Sequence, residues 1–177
     1  MYGSFVLKSQ LTLYYGGIMF LVQGTRPERS DKIRSLMDID INVAVIIAAA
    51  DFEWTCRRCI LALGKSPTKY IREELLAGAT FSKYPGIWDK EVYPMVGEHI
   101  NEVLTTFRFD RTTNDAFKLR NKLVHGESGP VSFNYGREKA EEILLASEEL
   151  SNFAMKKHEP IYGRMIRRTK TKKAIYT

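Results

Sequence analysis

From Asp31 to Leu63 the chain contains neither glycine nor proline, and the run stops at Gly64. An unbroken stretch of that length predicts one long helix, opened by Ser30 as cap with Asp31 in the first turn, where the helix dipole favours an acid. Its middle, Ile41 to Ala50, is apolar on nearly every side. A helix of that kind is either central in a bundle or shared across a subunit interface. Either way it needs other helices around it.

The rest of the chain supplies them. Ser66-Pro67 restarts the chain with proline at a tolerated first helical position, and Tyr70, Ile71, Leu75 and Leu76 give a short amphipathic helix. Residues 78–97, interrupted by Pro85, Gly86 and Pro94, read as a connection with short turns at most, and helicity returns over 98–106. Thr112 with Asp115 resembles a capping box opening a helix that points Ala116, Phe117, Leu119, Leu123 and Val124 inward and ends at Gly126. After the Gly129-Pro130 loop, Asn134 is the expected cap of a last long helix to about Lys157, with Ala140, Ile143, Leu144, Ser147, Leu150 and Ala154 on one face. The expected fold is all-α, a bundle of four or five helices.

Both ends differ in character from this body. Residues 1–28 form an apolar N-terminal segment in which Gly16-Gly17 separates two aromatic and β-branched runs, the pattern of a short β-hairpin. It is interrupted and short for a membrane span, which needs about 20 apolar residues, and lacks the charged start and cleavage site of a signal peptide. No membrane partner is expected. The helical domain then occupies 29–159 and a basic tail 160–177. Glu159 is the last acidic residue, and six of the 27 basic residues follow it: Arg164, Arg167, Arg168, Lys170, Lys172 and Lys173. They account for the net charge of +6, since residues 1–159 carry 21 of each sign. Such a tail suits phosphate backbones or an acidic partner, or serves as a solvated end that keeps the chain soluble.

Cys56 and Cys59 have a spacing that invites a redox or zinc reading. They sit inside the expected long helix with no second Cys or His pair near them, so they read as small buried side chains. No metal site, no cofactor and a reducing cytoplasm are the expectations. His99 and His158 are solitary and read as structural, and Gly16-Gly17 lacks the Lys-Ser/Thr that completes a phosphate loop.

One cluster remains. Arg120, Asn121 and His125 lie at the end of a helix whose apolar positions already commit one face to the core. Arg120 and His125 are five residues apart, about 140° around the axis, so they meet only where the chain turns or in a second subunit. His125 in the last turn suits a group titrating near neutrality. RNA carries its own nucleophile in the 2′-hydroxyl, so its cleavage needs no metal if one group removes that proton and another protonates the leaving oxygen. Histidine can do either, a guanidinium matches the growing phosphoryl charge, and Asn can orient phosphate or histidine. Spacing alone also allows Arg120 to pair with a neighbouring acid while His125 merely caps its helix, and the dipole favours such a histidine without any catalysis.

The stretch Leu119-Arg120-Asn121-Lys122-Leu123-Val124-His125-Gly126 resembles the signature of the HEPN superfamily (higher eukaryotes and prokaryotes nucleotide-binding). That signature is an Arg, often followed by a polar residue such as Asn, then a His with four residues between it and the Arg, frequently in a Val-His-Gly ending. The family often has an earlier helical Glu with a basic residue four positions on, and Glu53-Trp54-Thr55-Cys56-Arg57-Arg58 looks like that element. The resemblance implies a metal-independent endoribonuclease acting as a homodimer, a toxin or an effector of antiviral defence, with Arg and His of both subunits lining one cleft. On it, Arg120 stabilises the scissile phosphate, Asn121 positions it, His125 is general acid or base, and Glu53 holds Arg120 or Arg57. Lys122, Arg57, Arg58 and the six tail cations are the RNA contacts, and an antitoxin or regulatory protein is a further partner. The branch whose antitoxin is a nucleotidyltransferase has Tyr two residues after the His; Glu127 stands there in this chain, which argues against that pairing. The alternative is a catalytically inactive HEPN-like module that dimerises and binds nucleotide or a partner.

Overall fold

The computed structural model describes residues 24–77, 81–106, 109, 115–127 and 131–173. The expected N-terminal hairpin and the Thr112 cap lie outside them. Among the described residues the chain is all helical, without strands. Five helices have ten residues or more: α1 (Arg26–Met37), α2 (Ile41–Leu63), α3 (Thr68–Ala77), and, beyond three short ones, α7 (Asp115–His125) and α8 (Phe133–Lys156). The short ones are α4 (Tyr84–Glu91), α5 (Tyr93–Val96) and α6 (Ile100–Val103). α2 and α8 pack along each other as the central pair, and α1, α3, α4 and α7 surround α2. No helix among the described residues is long and apolar enough to cross a membrane.

The expected single helix over 31–63 is two helices. The first ends at Met37 with Asp38 as its C-cap, and Asp40 caps the second, its carboxylate accepting from the N–H groups of Asn42 at 2.9 Å and Val43 at 3.2 Å. A side-chain cap satisfies the amides that a continuing helix would have satisfied, so a break needs neither Gly nor Pro. The first of these helices also starts earlier than Ser30: Glu28 accepts from the N–H of Thr25 at 2.7 Å, the reciprocal half of a capping box, with Pro27 in the first turn. Pro85 likewise opens α4 where only turns were expected. Ser132, not Asn134, caps α8 by accepting from the Tyr135 N–H at 3.4 Å.

Phe52 of α2, Phe81, Phe109 and Phe117 of α7 form an aromatic cluster in the core, with Phe81 stacked on Phe117 at 3.7 Å between centroids and Phe52 edge-on to Phe117 at 5.8 Å. This cluster fixes the face that α7 presents to α2. Leu123 packs against the core as expected, but Val124 is 49% exposed. The run Ile41 to Ala50 is likewise divided: Ala44, Val45, Ala48 and Ala49 are buried, whereas Val43 and Ala50 are exposed.

Residues 159–173 run back across the bundle rather than away from it. Ile161 and Ile166 are buried, the Thr68 N–H donates to the Arg168 carbonyl at 2.9 Å, and the Lys172 N–H donates to Lys65 at 2.8 Å. α2 has no basic residue in its last turn. This strap supplies the cations instead: Arg168 donates to the Ala62 carbonyl at 3.3 Å and to Ser66 at 2.5 Å, and Lys172 to Ala62 at 3.0 Å. They satisfy carbonyls that a helix end leaves without partners.

Where α2 ends, Gly64 is required by crowding rather than by its backbone angles. A Cβ there would lie 2.6 Å from the Ile60 carbonyl oxygen and 2.7 Å from the Ile71 side chain. Gly64→Ala is therefore expected to destabilise the protein by about 1–3 kcal/mol, the usual range for overpacking, measured as a lower denaturant midpoint at unchanged slope.

Candidate active site

The site is built on two acids of α2 only two positions apart. Asp51 and Glu53 differ by about 200° around the helix, so they face opposite sides. Asp51 looks towards α1 and Glu53 towards α7.

On the α7 side, Arg120 and Glu53 form an ion pair, Nη2 to Oε1 at 3.6 Å, with both side chains partly buried. Arg120 also donates from Nη1 to Asn121 Oδ1 at 2.9 Å, and its buried Nε has no hydrogen-bond partner among the described residues. One turn along α2, Arg57 donates to the Tyr84 hydroxyl at 2.7 Å. Burial raises the Glu53 carboxyl above its ordinary value, with Arg120 and then Arg57 pulling it back. Burial also pushes the Tyr84 phenol up to about 12, against the hydrogen bond from Arg57. Glu53, Arg57, Tyr84 and Arg120 thus form a partly dry charged cluster in which one carboxylate faces two guanidinium groups. Such a cluster can hold an anion or orient a guanidinium towards one.

His125 is the last residue of α7, exposed, and Gly126 ends the helix with φ +68°. Asn121 and Lys122 are also exposed. The structure therefore brings Glu53 to Arg120 within one chain. His125 is left on the solvent side of the same helix.

The other expected RNA contacts divide. Arg58 donates to the carbonyls of Ile161 and Arg164, each at 2.5 Å, and its guanidinium lies over Trp54 at 5.0 Å. Arg164 donates to the Pro160 carbonyl at 2.6 Å and pairs with Glu159, as does Lys172. Arg58, Arg168 and Lys172 thus fasten the strap to the bundle, while Arg164 braces it internally. Arg167, Lys170 and Lys173 are exposed.

On the α1 side, Asp51 is fully buried and pairs with both Arg26 and Arg29, accepting from Arg29 Nε at 2.6 Å. Arg29 lies 4.0 Å over the Trp54 ring, and the Tyr162 hydroxyl of the strap is 3.1 Å from Thr55 Oγ1 and 3.5 Å from Arg26. Sequence reasoning missed this network. Its signal was there: Asp51 directly follows an apolar run, and a buried acid demands a buried cation.

Cys56 and Cys59 are free and buried, and burial raises both thiols. His99 donates from Nδ1 to the Asp89 carboxylate at 2.8 Å and stacks on Tyr93. Among the described residues no group of three or more His, Cys, Asp or Glu side chains is placed to hold a metal. No protein-family model, curated protein or solved structure matches this chain.

Proposed function

We propose that this protein is a metal-independent endoribonuclease of the HEPN type, an RNA-cleaving toxin or antiviral defence effector. The observation that carries the reading is the Arg120–Glu53 pair: the Arg of the Arg-x4-His motif meets the acid of the earlier helix, which the resemblance implies holds Arg120 or Arg57. The Arg120 side chain keeps part of its surface exposed, so its guanidinium remains within reach of a phosphate oxygen. In the proposed reaction His125 transfers the proton, Arg120 stabilises charge on the phosphoryl oxygens, Asn121 positions the phosphate, and the 2′-hydroxyl attacks.

Arg120 faces Glu53 while His125 points to solvent, so one chain offers only half of a convergent cleft. A second copy supplies the other half. Purified protein should be a homodimer by light scattering at micromolar concentration. It should cleave RNA in the presence of EDTA and leave a 2′,3′-cyclic phosphate. A monomer cleaving at full rate sinks the composite cleft, and a 5′-phosphate product sinks the mechanism.

The catalytically inactive module is the second reading. Engagement of Arg120 by both Glu53 and Asn121 favours it, since the same contacts serve a structural pair. Absence of cleavage with dimerisation retained would select it.

A further inference from the structure

The strap and α3 enclose a groove that the cleavage chemistry does not use. Its walls are Thr68, Lys69, Tyr70 and Arg72 from the first turns of α3, and Arg167 and Arg168 from the strap, with Glu73 the only carboxylate in the lining. Tyr70 is 60% exposed, an aromatic ring left in water among cations. Lys170 and Lys173 continue the exposed basic surface along the strap. The positive end of the α3 dipole opens on the same side.

The groove is also held in shape. Arg72 donates to the Ile166 carbonyl at 3.0 Å, the Arg168 N–H donates to Thr68 Oγ1 at 3.2 Å, and the Arg168 carbonyl accepts from Thr68. The main-chain groups at Arg168 and the N–H of Lys172 are thus engaged within the domain. The side chains of the lining offer a partner charge and a ring to stack on. Single-stranded nucleic acid is bound in that manner, with cations along the phosphates and aromatic rings under the bases.

We propose that the α3–strap groove is the docking track for single-stranded RNA, with Tyr70 stacking on a base and Lys69, Arg72 and Arg167 contacting phosphates. That the strand is RNA rests on the ribonuclease reading; the position of the track rests on the groove. It revises the role of the C-terminal cations, with Arg168 building the track while Arg167 faces the strand.

The test uses the full chain and a short, fluorescein-labelled, uniformly 2′-O-methylated RNA, which cannot be cleaved by attack of its own hydroxyl. Anisotropy titrations across salt should show salt-dependent binding by the parent. Tyr70→Ala should weaken it about 5- to 150-fold, the range of one lost base stack. The Lys69→Glu/Arg167→Glu double variant should weaken it at least tenfold and flatten the log-log salt slope by about 1.4, from two lost phosphate contacts. Thermal melts coincident with the parent establish that these exposed substitutions leave the fold intact. Parent-like binding by both variants overturns the track, as does tighter binding of an acidic peptide than of RNA at equal salt. If the parent cleaves unmodified RNA while both variants bind like the parent, the track fails and the ribonuclease reading stands. Binding that depends on the groove without cleavage supports the track and rejects the ribonuclease.

Discussion

Replacing His125 by alanine should reduce RNA cleavage by about 10²- to 10⁴-fold while leaving the melting temperature within a degree or two of the parent's. The first figure is the usual contribution of a general acid or base. The second follows from position: His125 is exposed at the last residue of α7, and exposed substitutions usually stay within about 0.5 kcal/mol. Arg120→Ala should separate from it. Arg120 is partly buried against Glu53, so its removal leaves a desolvated carboxylate without its partner and lowers stability as well as activity. Single-turnover rates beside thermal melts read both effects. If His125→Ala cleaves like the parent, or unfolds, the histidine is a structural cap and the nuclease assignment fails.

The largest effect on folding should come from Asp51→Ala. Asp51 is buried between Arg26, also buried, and Arg29, and removing it leaves two guanidinium groups inside the bundle without their carboxylate. Breaking a buried pair from one side typically costs about 3–5 kcal/mol, and in a chain of this size each kcal/mol lowers the melting temperature by roughly 2–4 °C. The expected loss is therefore roughly 6–20 °C. The reference for that loss is the uncompensated charge, not an intrinsic strength of the ion pair. Accordingly, replacing Arg26, Arg29 and Asp51 together by apolar residues of similar size should recover much of it. Because Tyr162 reaches the same network through Arg26 and Thr55, Asp51→Ala should also speed proteolysis within residues 159–173. A melting temperature within a few degrees of the parent's would show that the network contributes little to stability.

Much of the candidate site was legible because its signal is local. Arg120, Asn121 and His125 are close in sequence at the end of a helix, and Gly126 marks that end. Glu53 was legible only through the resemblance, since no periodicity says which neighbouring helix an acid will meet. The Asp51 network was missed because Arg26 and Arg29 lie more than twenty residues away on a helix that was expected to begin after them. The tail was read as one group of six cations because charge can be counted in a sequence. Which of them are committed to carbonyls of α2 cannot.

The sequence by itself determined that the body of the chain, among the described residues, is helical and, for most of its helices, which side is apolar. Those properties follow from residues three and four positions apart and from caps within a turn. It did not distinguish a helix that continues from one re-capped by Asp40, because both satisfy the same amides. Tertiary structure decided the pairings: Asp51 with α1, Glu53 with α7, and the strap with the end of α2. A helix's own residues set its apolar and polar faces, but the partner of a buried charge is fixed only when another element brings an opposite charge, or a free carbonyl, within reach.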